Sequence, residues 1–336
     1  MILGAYYFSG WWAPDAVGMR ERLLEEFPDR EPVWGWVSDG PANMEVQIDL
    51  ATDGGLDFFA FDWYFPEISE RELALNLNAC VDDFLLAKNN DKMRFCLLVA
   101  NHDAFRIFRD GWEKAVDYWI PFLKSERAVT IGGKPLIIFF AALTECLGGS
   151  AAVRECTDYF RNKAKEAGLP DIFIASCVYP KTENTGEQLE IGQAEGYDGF
   201  TGYNYIQGYH YEGPEPYIHP YGELAECHMS AWDRFAKDSP LPYMPIVTCG
   251  WDCRGWEKPG APPRSWYYPD RTPKQVYEFV SAAGDWMENN PSKTVEEKAV
   301  LLYAWNEYGE GGYIAPTKWD SGAYLDAVGR AKRDRA

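Results

Sequence analysis

Eight short apolar runs, most of them followed by a longer amphipathic stretch, recur along the chain, and this alternation constrains its fold more than any other feature. The runs are Ile2 to Phe8, Leu56 to Trp63, Met93 to Ala100, Pro135 to Phe140, Asp171 to Cys177, Asp198 to Tyr203, Tyr243 to Thr248 and Ala299 to Trp305. Between them lie helix candidates such as Asn43 to Thr52, Glu70 to Lys88, Ser150 to Ala167, Tyr221 to Ala236 and Pro273 to Met287. Strand-length runs alternating with helical patterns are the mark of βα units around a parallel sheet. Eight such units predict an α/β fold, a single (β/α)8 TIM barrel over residues 1–336, with long βα loops forming the mouth of the active site. A doubly wound open sheet is the alternative, but no Gly-x-Gly-x-x-Gly follows the first run and no phosphate loop appears.

Local signals support the helix boundaries. Thr272 followed by Pro273 is an N-cap with proline at the first helical position. Gly54-Gly55, Gly168 and Gly284 are expected at or near helix ends. Two segments are too rich in Gly, Pro and aromatic residues to be helices: Tyr203 to Tyr221, and Gly250 to Asp270 after the seventh run. Long loops in compact domains are usually functional.

Charge and cysteine usage narrow the partners. The 32 Lys plus Arg against 52 Asp plus Glu give a net charge of −20, a surface that repels phosphate backbones and anionic lipid headgroups. Neither nucleic acid nor a membrane is an expected partner. The eight cysteines show no Cys-x-x-Cys spacing and read as unpaired thiols of a reducing compartment. Histidines 102, 210, 219 and 228 show no metal-binding spacing, so no metal site is expected. The N-terminus lacks a basic segment ahead of a long apolar run, which reads as cytoplasmic for the chain as given. Export followed by removal of a signal peptide would leave the same sequence.

The strand ends are polar and aromatic: Tyr6-Tyr7, Asp62-Trp63-Tyr64, Asn101-His102, Tyr203-Asn204-Tyr205, Trp251-Asp252 with Arg254, and Trp305-Asn306-Glu307-Tyr308-Gly309-Glu310. In a barrel these ends form the mouth, and a sugar needs such a mouth. Pyranose rings lay apolar C–H faces on aromatic rings, while their hydroxyls bond Asp, Asn, Arg and His. These residues are the substrate-binding candidates, although aromatics that only pack beneath loops would give the same pattern. Asp62 ends an apolar strand and must find either a partner or a ligand. Arg254 could bind substrate or form a loop salt bridge.

Glu307 and Glu310 are the sharpest feature. Two carboxylates three residues apart, on the turn leaving the last strand, could both face the mouth. Glycoside cleavage needs such a pair, one protonating the departing oxygen while the other assists at the sugar. A solvated acidic turn is the alternative reading of the spacing.

At these same residues the chain resembles the WbsX-like proteins, a group related to glycoside hydrolase family 99, the endo-α-1,2-mannosidases and endo-α-1,2-mannanases. The likeness runs nearly end to end. It shows in Gly4-Ala5-Tyr6-Tyr7-Phe8, in Gln47-Ile48-Asp49-Leu50-Ala51 leading to Phe59-Ala60-Phe61-Asp62-Trp63-Tyr64, and in Gly250-Trp251-Asp252. It is most specific in Ala304-Trp305-Asn306-Glu307-Tyr308-Gly309-Glu310-Gly311 and Gly322-Ala323-Tyr324-Leu325.

The resemblance implies a (β/α)8 barrel and a retaining glycosidase that needs no cofactor and acts on an oligo- or polysaccharide with a mannose-like or rhamnose-like C2. It implies that Glu307 deprotonates the sugar 2-hydroxyl and that Glu310 is general acid, then base. Two departures bear on sugar specificity. Ile314-Ala315-Pro316 stands where the family usually has Leu-Glu-Pro or Ile-Glu-Pro, and Ala100-Asn101-His102-Asp103-Ala104 where Ala-Asn-Glu-Asn-Trp is frequent. A transferase or transglycosidase of polysaccharide metabolism is the first alternative, although the chain holds no Asp-x-Asp for a nucleotide-sugar donor. A non-catalytic carbohydrate-binding barrel is the second.

Overall fold

The computed structural model describes residues 1–12, 17–36, 40–140, 143–179, 185–207, 217–257, 263 and 265–335. Eight parallel strands form the barrel: β1 (Ile2–Tyr7), β2 (Phe58–Trp63), β3 (Arg94–Val99), β4 (Lys134–Phe139), β5 (Phe173–Cys177), β6 (Gly199–Thr201), β7 (Ile246–Thr248) and β8 (Ala299–Tyr303). Each falls within or at the edge of one predicted run. Successive strands pair in parallel from β1 to β6, and β8 pairs with both β1 and β7. The seam between β6 and β7 is closed by a parallel bridge between Phe200 and Tyr243. Its hydrogen bonds run from Phe200 N to Pro242 O at 2.9 Å and from Met244 N to Phe200 O at 2.9 Å. The open-sheet alternative is thereby set aside.

Around the barrel lie α1 (Val17–Glu26), α2 (Pro41–Asp53), α3 (Arg71–Leu86), α4 (Trp112–Leu123), α5 (Ser150–Glu166), α6 (Thr185–Ala194), α7 (Tyr221–Asp238), α8 (Pro273–Asn289) and α9 (Ala323–Arg333). The predicted cap of α8 is present, with the Thr272 hydroxyl accepting from Gln275 N. Gly284 departs from expectation: it lies inside α8, not at its end. A Cβ there would stand 2.7 Å from Arg335 Nε, so the glycine serves the close approach of the C-terminal segment. All eight cysteines are free thiols. Among the described residues no helix is long and apolar enough to cross a membrane.

The strand period of two decides which side chains reach the barrel interior. On β2, Phe59, Phe61 and Trp63 face the helices, and Asp62 faces inward. Trp63 packs on Trp119 of α4 at 5.6 Å between ring centroids, and Trp119 continues to Trp112, Phe139 and Phe160. This aromatic layer glues α4 and α5 to the sheet. Trp63, proposed above as a sugar contact, is therefore core, 2% exposed. Trp63→Ala is expected to cost about 3–5 kcal/mol of stability. Glycan affinity of the folded fraction should be unchanged, which denaturant titration alongside binding isotherms would check.

Candidate active site

At the C-terminal ends of the strands opens a cavity of about 490 Å³. Its acidic lining comes from Asp62, Asp103, Glu307 and Glu310, and its aromatic lining from Phe8, Tyr64, Phe140, Tyr203 and Trp256, with His102 beside them. No lysine or arginine occurs among the described lining residues. A cavity of about 570 Å³ lies at the opposite end. There Lys332 pairs with Asp57, and barrel chemistry belongs to the other mouth.

The glutamate pair sits on a tight ribbon. Beyond β8 the chain forms the two-residue strand Asn306–Glu307, which pairs antiparallel with Gly312–Tyr313 and leaves Glu310 in the turn between them. Gly311 takes a left-handed φ of 68° to close that turn. The segment after β7 presses onto the ribbon, with Asp252 N donating to Glu310 O at 2.6 Å. Only glycine permits this contact: a Cβ at Gly250 would meet Gly311 O at 2.4 Å, and one at Gly255 would meet Gly309 O at 2.5 Å.

Two arginines tie these segments together: Arg271 Nη1 donates to Cys249 O at 2.7 Å and Tyr313 O at 2.8 Å, and Arg30 is buried between them. Arg30, 4% exposed, donates from Nη1 to Asp252 O at 3.1 Å and Tyr308 O at 2.9 Å, and from Nη2 to Asp252 Oδ2 at 2.7 Å. Arg254 takes the remaining carboxylate positions, with Nε 2.8 Å from Asp252 Oδ1, and stacks over Tyr267. Asp252 is therefore held below the ordinary carboxylate range by its hydrogen bonds to Arg254 and the charges of both arginines, which outweigh its burial.

Within the cavity, Tyr203 joins two of the carboxylates. Its hydroxyl lies 2.8 Å from Glu307 Oε1 and 3.1 Å from Asp62 Oδ2. The Tyr203 ring is held by Tyr6, Phe140 and Tyr303 at 4.9, 5.0 and 4.9 Å. Burial pushes Glu307 well above the usual glutamate range, and the neighbouring Glu310 and Asp62 raise it further against the Tyr203 bond. Burial also raises Asp62, with Glu310 adding to the rise and Tyr203 opposing it. Glu307 Oε2 and Asp62 Oδ1 are buried with no hydrogen-bond partner among the described residues. Glu310 accepts from the Tyr303 hydroxyl and is the more exposed of the two glutamates.

A raised acid binds its proton more tightly in the native state than in the unfolded one. Stability should fall as pH rises from the ordinary glutamate range through the raised native value. Glu307→Gln is accordingly expected to flatten that fall and to melt higher than the wild type at neutral pH. Melting curves at several pH values would check this.

The structure brings some sequence candidates to the cavity and leaves others elsewhere. Asp62, Tyr64, His102, Tyr203, Glu307 and Glu310 line it. Tyr6 supports Tyr203 from below and donates to Gly202 O at 2.7 Å. Asn204 lies within hydrogen-bonding reach of the Tyr303 phenol.

Tyr7 faces outward onto Phe59 and Phe61, and Tyr205 bonds Tyr243 at 2.9 Å on the helix side. Trp305 donates to Gln47 Oε1 at 2.8 Å beneath α2, and Trp251 donates to Ser265 Oγ at 2.8 Å. Asn101 accepts from Ile107 N, and Asn306 clamps the Phe8 backbone through both side-chain atoms. Tyr308 packs among Trp11, Trp36 and Tyr313. With Asp252 and Arg254 committed to each other, all these residues build the walls without lining the space. For the aromatic residues among them, packing beneath loops is the alternative reading given above, and for Arg254 it is the loop salt bridge. His210, in the segment 208–216, lies outside the described residues.

A closed (β/α)8 barrel with clustered, electrostatically coupled carboxylates at its C-terminal mouth defines the class. The sequence pattern of the family described as "Glycosyltransferase WbsX" matches residues 38–328. The chain belongs to that family. Among solved structures it is similar to one described as a glycoside hydrolase-like protein, at 13% identity and a TM-score of 0.70, covering 98% of this chain and 93% of that one. It is also similar to the GH99 endo-alpha-mannosidase from Bacteroides thetaiotaomicron, at 13% identity and a TM-score of 0.60, covering 99% and 96%. At that identity the likeness establishes the fold. No protein of curated function matches the chain significantly.

Proposed function

We propose that the protein is a retaining glycoside hydrolase of neutral α-linked glycans, acting on a sugar with mannose-like or rhamnose-like C2. The observation that carries this reading is the cluster of Asp62, Glu307 and Glu310 around one cavity that carries no cation among its described lining residues. Glu307, drier and with one oxygen unpartnered, suits the group that takes the proton of the sugar 2-hydroxyl as O2 attacks the anomeric carbon. Glu310, nearer solvent, suits the group that protonates the leaving oxygen and then activates the water that opens the anhydro-sugar. Phe8, Tyr64 and Trp256 offer apolar faces to a pyranose ring.

The family description favours glycosyl transfer as the second reading. A nucleotide diphosphate donor would bring negative charge into a cavity whose described lining holds four carboxylates and no lysine or arginine. The same argument disfavours uronate- and phosphate-bearing glycans. Offered matched neutral and anionic α-manno- and α-rhamno-configured oligosaccharides, the enzyme should release new reducing ends from neutral members only. Turnover confined to mixtures containing a nucleotide sugar would place it with the transferases instead.

A further inference from the structure

The Tyr203 hydroxyl stands between Glu307 Oε1 and Asp62 Oδ2, at 2.8 and 3.1 Å. A phenol carries one proton, and this buried one keeps it. It can donate to only one of the two carboxyls. The other must meet the phenol oxygen with a proton of its own, or else as an anion set against a lone pair. Both carboxyls are nearly sealed from solvent, at 3% exposure for Asp62 and 5% for Glu307. Two adjacent buried carboxylates do not both ionise readily, as the shared proton of an acidic dyad illustrates.

Among the described residues, no lysine or arginine lines the cavity around them. Asp62 is faced by Tyr64 from its own strand end, by Cys177 from β5, by Tyr203 beyond β6, and by Glu310 from the ribbon. Tyr303 of β8 stands against Tyr203 and Glu310. His102 and Asp103 from the loop after β3 line the same cavity, where His102 pairs with Asp103 at 2.9 Å.

Resting on the hydrolase reading above, we propose that Asp62 and Glu307 hold one proton between them across the Tyr203 hydroxyl, with Asp62 as the protonated, positioning partner. Asp62 Oδ2–H then donates to Tyr203, and Tyr203 donates to Glu307 Oε1, the shorter of its two contacts. Glu307 is left as the free carboxylate, with its unpartnered Oε2 for the sugar 2-hydroxyl. During attack the hydroxyl proton passes to Glu307, and it returns to O2 when the anhydro ring opens. The Asp62 proton stays where it is.

An asparagine at this position donates from its amide as protonated Asp62 would, whereas an alanine cannot. Asp62→Asn should therefore exceed Asp62→Ala in kcat by about a hundredfold. Independently of any substrate, carboxyl carbon NMR of the free wild-type enzyme should show one protonated carboxyl at neutral pH that is missing in Asp62→Asn. Equal loss in both variants would show that Asp62 is needed as an anion and would overturn the proposal. So would full ionisation of every carboxyl in the wild type, or a protonated carboxyl that persists in Asp62→Asn. A shared proton in an enzyme that cleaves no glycan would sink the hydrolase reading and leave the proton sharing intact.

Discussion

Glu310→Gln is expected to lower kcat/KM on a neutral α-linked glycan by about 10²–10⁴-fold, the usual range for one general acid or base. An amide of the same shape can still accept the hydrogen bond from Tyr303, so the ribbon and glycan affinity should survive. What disappears is the proton for the departing oxygen and the base for water in the second step. A substrate whose leaving group needs no protonation should bypass the first defect alone. Such a substrate should show a burst followed by slow turnover, since ring opening still lacks its base. Equal losses on both substrates without that burst would argue that Glu310 holds structure.

Arg30→Ala is expected to destabilise the fold by about 3–5 kcal/mol, the range for breaking a buried pair from one side. Its loss would strip the hydrogen-bond donor from the carbonyls of Asp252 and Tyr308. Arg254 still serves the Asp252 carboxylate, which places the loss at the lower end of that range. The ribbon bearing Glu307 and Glu310 would loosen as well, so kcat should fall more than affinity. Arg30→Lys should rescue little, because one ammonium cannot reproduce the forked contacts to carboxylate and carbonyls. Denaturant unfolding of both variants, read alongside steady-state kinetics, checks the two parts separately.

How far the sequence reaches is clearest at the strand ends. Each apolar run becomes a strand because its length and flanking turns allow little else, so the barrel and the position of Glu307 and Glu310 are legible. The face of each aromatic is harder to read. Within a strand, parity settles it: once Asp62 points inward, Trp63 must point to the helices, and Tyr6 and Tyr7 divide in the same way. Past the strand ends parity lapses, and Tyr64 reaches the cavity while Trp305 turns beneath α2.

Arg30 is illegible from sequence for a different reason. Its partner Asp252 lies 222 residues away, and nothing local to Pro28-Asp29-Arg30 announces that partner. Trp256 and Phe8 carry only the weak signal of aromatics beside a strand end or within a proline-rich loop.

Hydrolysis of a glycan at this carboxylate-lined mouth through Glu307 and Glu310 is tested most directly by a reducing-end assay. Wild type, Glu307→Gln and Glu310→Gln are incubated with a panel of neutral α-linked manno- and rhamno-configured oligosaccharides and polysaccharides. New reducing ends are expected from at least one member with the wild type, and a deep loss with each variant despite retained binding. Wild-type release that persists in both variants, or binding without release anywhere on the panel, would contradict it.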